Sequence, residues 1–306
     1  MQISERTRAI SQAFLVTFLW STSWVLIKNN LQEIPPLIFA GTRYLMAALI
    51  LLPGLLIRRV QLSRLSKKQW FQLGLLGVIF YTLTQGGLFM TLNHLEAITF
   101  SLLMNFSTVL VALFGIIGLR EIPTRLQWLG IAVFIFGVLL YFFPLAGTSG
   151  SMVGFILAGF TLSTDAVSSL LGRAINRQRL ITPMVVTGVS MGIGAIALLG
   201  TGLIVEEFPT ITLKNFLVLV WLAVVNTAFA FTLWNRTLQI LTAVESSIIV
   251  NTMLIQIALQ AWIFLGERPG LWGIVGLCLA AIGILLANLR ITKIQSDKDD
   301  KQSMSN

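Results

Sequence analysis

The sequence predicts an all-α integral membrane protein of ten transmembrane helices, built as two inverted five-helix repeats. Three observations carry this. Hydrophobic residues make up 56% of the 306 residues and charged residues 11%, with a mean hydropathy of +0.87, a composition that would not stay dissolved as an ordinary globule. Apolar runs recur along nearly the whole chain, each near the roughly 20 residues a helix needs to cross a hydrocarbon core of about 30 Å. Finally, residues 91–141 are echoed 146 positions later. The shift carries Thr91 to Thr237, Ala97 to Ala243, Ser101 to Ser247, Asn105 to Asn251, Glu121 to Glu267, Pro123 to Pro269, Gly130 to Gly276 and Gly137 to Gly283, without a gap. Matches at polar, Pro and Gly positions are not explained by apolar composition, and an internal repeat of this length is architecture.

The expected spans are 11–28, 35–57, 70–92, 97–118, 124–143, 151–172, 182–204, 213–235, 244–265 and 270–289. Barrel strands would need only about 10 alternating residues, so run length favours helices. Arg6 and Arg8 precede the first run as in a signal peptide. Trp20, Trp24, Lys28 and Asn29 follow it instead of a small-residue cleavage site, so a retained first helix is expected. The polar tail 291–306 is expected to be disordered.

Orientation follows from the cations. Of the 21 Lys and Arg, only Lys28, Lys214 and Arg268 fall in gaps on one side, and Arg43 lies inside a span. The rest fall in gaps on the other side, termini included, which places both termini in the cytoplasm. The repeats divide the chain into 1–148 and 149–290. Five spans is an odd period, so the second copy crosses in the opposite sense, an arrangement that suits a substrate site at the repeat interface near the midplane. Asn105 and Asn251 each lie about 12 Å from opposite ends of their spans, by helical rise, and so mirror one another.

With these residues in view the chain resembles the EamA-like transporters of the drug/metabolite transporter superfamily. The likeness rests on LWSTSW (Leu19–Trp24), PPLIFAGTRYLMAA (Pro35–Ala48) and two Glu–x–Pro loops followed by Gly at fixed spacing. The first loop departs from the usual pattern, with Arg120 where the family typically has Gly. The resemblance covers about residues 10–290. It implies a secondary carrier working by alternating access, often an exporter, with no nucleotide hydrolysis. It names no substrate, since the family handles amino acids, sugars, nucleotide-like metabolites and amphipathic toxins.

Arg43 is the sharpest single feature, some 12 Å inside the second span by helical rise. An intramembrane arginine is costly and faces the interior or a wet cavity. It reads either as a site for a carboxylate or as a structural tie to carbonyls or Asn105. Asp165 is the sole acidic residue well inside a span. It is a candidate for proton coupling, for meeting a substrate amine, or for a structural bond. Trp20 and Trp24, four apart, share a helix face near Ser23. Trp20 is assigned to a cavity wall, whereas Trp24, Trp70, Trp128 and Trp272 are assigned to packing or the interfacial belt. Tyr81, Thr84, Gln85, Ser101, Asn105, Asn226 and Thr232 are candidate hydrogen-bonding groups. On the ninth span Ser247 and Asn251 share one face and Gln256 and Gln260 another, one of which is expected to be interhelical glue. Glu121 and Glu267 read as helix-end caps or loop ion pairs. Gly188 and Gly192 read as a close-packing pair.

The composition also excludes classes. The excess cations sit in short loops, so no nucleic-acid partner is expected. The single Cys278 and single His94 offer no metal or disulfide framework, and no cofactor is expected. No GxxxxGK[ST] loop occurs, which removes an ATP-driven pump. An enzyme would need a denser polar constellation, and a scaffold or sensor would normally carry a soluble domain. The expected protein is a carrier of small metabolites, amino acids or related amphipathic compounds first, with efflux favoured and protons as the candidate coupling ion. It is expected as a monomer or homodimer in a bacterial cytoplasmic (inner) membrane.

Overall fold

A computed structural model describes residues 5–57, 59–107, 110, 124–143, 151–177, 180–237, 240–241 and 249–288; they are helical nearly throughout, with no strand among them. Apart from a short helix at Arg59–Ser63, the helices are α1 Glu5–Asn30, α2 Pro36–Ile57, α3 Lys67–His94, α4 Ala97–Met104, α5 Arg125–Tyr141 and α6 Met152–Arg177. They continue with α7 Pro183–Val205, α8 Leu213–Trp234, α9 Met253–Leu265 and α10 Leu271–Asn288. Six of them (α1, α2, α3, α6, α7 and α8) are long and apolar enough to cross a membrane, and α5, α9 and α10 contain shorter apolar helices. Glu121, Ser247 and the tail 291–306 lie outside the described residues.

Local signals set the helix ends. Ser66 and Gln69 form a reciprocal capping box at the start of α3. Thr212 accepts from Asn215 N at 3.3 Å at the start of α8, and Pro183 occupies the first turn of α7. Gly266, at φ +70°, closes α9 in the left-handed conformation that glycine adopts without a Cβ penalty. Large apolar side chains such as Ile57, Ile204 and Leu271 point outward and are exposed, as lipid rather than water would require.

Packing pairs α5 with α10, α2 with α7, α3 with α6 and α7, and α1 with α8 and α9. Glycines permit the close crossings. A Cβ on Gly137 would lie 2.7 Å from Gly276 O and 2.5 Å from Ala280 N, and one on Gly283 would lie 2.7 Å from Gly130 O and strike Phe134 N. The Gly188–Gly192 pair divides. A Cβ on Gly188 would meet Leu55 side-chain atoms at 2.7 to 3.0 Å, whereas one on Gly192 meets nothing within 4 Å. Gly192→Ala is therefore expected to leave the unfolding temperature unchanged or raise it, since alanine is the better helix former by about 1 kcal/mol. Gly188→Val should lower it, which a thermal unfolding series in detergent would show.

Four helices are irregular where run length gave no sign of it. α3 and α8 widen into π-helical turns at Gly77–Thr84 and Leu222–Phe229. In each, a threonine hydroxyl reaches five residues back: Thr84 Oγ1 to Ile79 O and Thr227 Oγ1 to Leu222 O, both 2.9 Å. The helical runs through 101–107 and 249–265 are interrupted at Asn105 and Thr252. There Asn105 N bonds Leu102 O at 3.3 Å and Thr252 N bonds Ile249 O at 3.1 Å. Side chains reinforce both turns, Asn105 Nδ2 donating to Ser101 O at 2.7 Å and Thr252 Oγ1 to Ile249 O at 2.6 Å. Such local bonds compete with the regular helix ladder.

Glu267 acts as a cap across the fold. Its two carboxylate oxygens accept from Ala97 N and Ile98 N, the start of α4, at 2.8 and 2.9 Å. Burial pushes its pKa above that of a free glutamate, opposed by those two N–H donors.

Candidate substrate cavity

Inside the bundle lies a cavity of about 310 Å³ whose lining includes Trp20, Arg43, Gln85, Asn105, Asp165 and Asn251. Those residues come from six different segments of the chain, and the irregular stretches of α4 and α9 both face it. Its remaining wall is largely aromatic and aliphatic, including Trp24, Phe80, Leu88, Phe231 and Ile257. This is the usual make-up of a small-molecule site: an apolar wall with a few convergent polar groups.

Arg43 is buried on α2. Its Nε donates to Thr227 Oγ1 at 2.9 Å, and its guanidinium carbon sits 5.3 Å from the Tyr44 ring centroid. Thr227 belongs to the π turn of α8, so the widened turn positions the hydroxyl that orients the cation. Tyr44 in turn donates to Gln85 Oε1 at 2.7 Å. Among the described residues the hydrogen bond of Arg43 goes to Thr227 and not to the expected backbone carbonyls or Asn105, nor to Asp165. Asp165, midway along α6, lies beside Ser107, and both line the cavity.

Trp20 stands in the wall between Phe231 and Trp234, with centroids at 5.2 and 5.4 Å. Trp24 was assigned to belt or packing. It does pack on Phe100 at 5.1 Å, but it lines the cavity as well. The indole Nε1 of Trp20 and the amide Nδ2 of Asn251 are buried without a hydrogen-bond partner among the described residues. An unmatched buried donor costs about 1–3 kcal/mol.

Two expected site residues lie elsewhere. Tyr81 is buried in the π turn of α3 and packs edge-on against Tyr44 and Phe80, with ring centroids at 5.3 and 4.9 Å. Asn226, in the π turn of α8, donates to Leu19 O, to Thr22 Oγ1 at 3.1 Å and to Ser23 Oγ at 3.0 Å. It ties α8 to α1, while Ser23 itself reaches the cavity lining. Tyr81 and Asn226 both sit in π turns, whose wider winding turns side chains away from the faces a regular helix would give them. The two faces of the ninth span also separate. Gln260 Nε2 donates to Ser21 Oγ at 2.8 Å and Gln256 Nε2 to Thr17 Oγ1 at 3.3 Å, so the glutamine face is glue to α1. Asn251 lines the cavity. Thr227, Tyr44 and Ser107 were missed by sequence reasoning. Thr227 and Tyr44 adjoin residues already singled out, and Ser107 carried no signal of its own.

Long apolar helices around an apolar-walled cavity with a few polar groups define a multi-pass membrane protein with a candidate small-molecule site. The EamA-like transporter family matches the chain twice, over residues 7–143 and 150–289, and the chain belongs to that family of transporters. An uncharacterized transporter of Archaeoglobus fulgidus is 24% identical over 283 residues, covering 90% of this chain and 96% of its own. A Chlamydia muridarum protein called an S-adenosylmethionine/S-adenosylhomocysteine transporter is 25% identical over 296 residues, covering 92% and 91%. A crystal structure of a protein at 18% identity superposes with a TM-score of 0.66, over 92% of this chain and 97% of that one, which shows a shared fold.

Proposed function

We propose that this transporter is a secondary carrier of small zwitterionic or amphipathic metabolites, amino acids and their derivatives first, working by alternating access of two inverted repeats. The observation that carries the substrate class is the cavity itself, where one buried cation, Arg43, and one carboxylate, Asp165, share an aromatic-walled space. Arg43 attracts a substrate carboxylate, and Asp165 meets an amine or exchanges a proton. Trp20, Ser23, Gln85, Asn105 and Asn251 supply wall and hydrogen bonds, and a ligand acceptor would satisfy the unmatched donors of Trp20 and Asn251. The Chlamydia relative is named for substrates that carry an amino-acid moiety, which favours the same class. Tyr81 and Asn226 act at one remove, by holding Tyr44 and α1.

The repeat reading has its own support. The π turns of α3 and α8 begin 145 positions apart. The contacts Gly137 with Gly276 and Ala280 become, on shifting by 146, Gly283 with Gly130 and Phe134. Discontinuous helices at a central site recur in inverted-repeat carriers. The cation distribution favours both termini in the cytoplasm, and export is the direction the resemblance favours.

The test is thermal unfolding of the detergent-purified protein against amino acids, S-adenosylmethionine, sugars, nucleosides and cationic drugs. A ligand that binds only the folded state raises stability by about 2.7 kcal/mol at a hundredfold excess over its Kd. A saturable shift with amino-acid-bearing compounds is expected. A shift confined to sugars or to drugs without a carboxylate would overturn the substrate class.

A further inference from the structure

We propose that Glu206 and Glu267, with Lys28, form a breakable latch that closes the cavity at one end of the bundle. The proposal rests on the carrier reading and adds to it the groups that hold one gate shut.

Both carboxylates grip the start of a helix that is distant in sequence. Glu206, just after α7, accepts from Leu37 N at 3.0 Å and Ile38 N at 2.8 Å, at the start of α2. Glu267, between α9 and α10, grips the start of α4 in the same bidentate way. Lys28 Nζ donates to Leu92 O at 2.6 Å and also to Leu95 O, the closing carbonyls of α3. The turn joining α3 to α4 is thus held from both sides. An ion pair, Lys214 Nζ to Glu33 Oε1 at 3.1 Å, adds a further bridge between the start of α8 and the α1–α2 loop. Since α2 starts and α3 ends at these contacts, the loops 31–35, 95–96, 206–212 and 266–270 gather at a single end.

The latch lies toward one end of the cavity, with Glu267 itself lining a second space of about 290 Å³ beside Glu96 and Arg268. Ile27, next to Lys28, and Ser101, one helical turn beyond Ala97, both line the candidate substrate cavity. Glu267 and Glu206 come from the second half of the chain and hold helices of the first. Separation of α9–α10 from α4, or of α7 from α2, at this end must therefore break them.

Their chemistry suits a reversible contact. Glu96 occupies the N-cap position of α4 but makes no side-chain cap bond. A Ser, Thr or Asp there would cap the helix permanently. The cap is instead supplied across the halves by a carboxylate, which the positive end of the helix dipole attracts. When the latch opens, the freed N–H groups and both carboxylates meet water, so neither is left as a buried orphan.

The experiment follows accessibility, with full-length protein in which Cys278, the sole cysteine, is replaced by alanine. Ser101→Cys reports on the cavity; Phe208→Cys, exposed on the loop at the latch end, sets the unhindered rate. Labelling by a membrane-impermeant maleimide is measured in intact cells and in inverted vesicles. In Glu267→Gln an amide N–H replaces one acceptor and opposes a donor. Glu267→Asp keeps the charge but shortens the reach, and Glu206→Gln tests the second grip. From the face on which Phe208→Cys reacts, labelling at position 101 is expected to rise on the order of tenfold, most in the double Gln variant. Unchanged labelling in every variant that elutes and unfolds like its parent would overturn the latch. The readout needs no substrate, so that result would leave the carrier reading standing. A failed ligand panel would in turn leave the latch standing.

Discussion

Replacing Arg43 by glutamine is expected to abolish saturable ligand binding while leaving the fold intact. The guanidinium is buried and lines the cavity, so the substrate carboxylate proposed above would meet it away from bulk water. Removing one member of such a pair costs about 2 kcal/mol or more, at least about 30-fold in Kd. The fold should survive because Thr227, the partner of Arg43 Nε, keeps its own bond to Leu222 O. Deleting a buried charge also removes a desolvation penalty, so the ligand-free variant is expected to unfold at the same or a higher temperature. Isothermal titration and thermal unfolding, run on one preparation, separate the two effects. Arg43→Lys should recover only part of the affinity, since the ammonium lacks the planar fork and the Nε contact. An Arg43→Gln protein that binds with unchanged affinity would return Arg43 to a structural role.

The second large effect is expected at the crossing of α5 and α10. Gly137→Val and Gly283→Val each place side-chain atoms where backbone now lies, the nearest atoms belonging to Ala280, Gly276, Phe134 and Gly130. Backbone on both sides leaves no flexible side chain to yield, and overpacking of this kind costs about 1–3 kcal/mol or more. Both variants should unfold well below the parent in detergent. Because the two sites lie apart along one crossing, the double variant should be close to additive or fail to fold. A Gly283→Val protein as stable as its parent would show that the helices are free to separate there.

Much of this protein is legible in its sequence because a bilayer asks for little beyond length and apolarity. The long spans of α1, α2, α3, α6, α7 and α8 follow from apolar runs, since each backbone polar group must be satisfied within its own helix. Arg43 and Asp165 were conspicuous for the same reason: in an apolar run an ionisable residue is an expensive exception. The Glu267 cap was foreseen as a helix-end role, though not its target, because the start of α4 lies about 170 residues away.

What the sequence left open concerned the rotation of side chains about their helix axes. Apolar residues surround these helices on all sides, so hydrophobicity does not say which face meets lipid, neighbour or cavity. The glutamine face of α9 and the face of Asn251 were equivalent on paper; the hydroxyls of Ser21 and Thr17 on α1 assign the first to packing. Tyr81 and Asn226 each sit in a π turn, which a fixed period of 3.6 residues does not represent. Length, apolarity and isolated charge, then, were written in the chain. The direction each polar group faces was decided only by tertiary packing, because in a uniformly apolar helix only the neighbours distinguish one side from another.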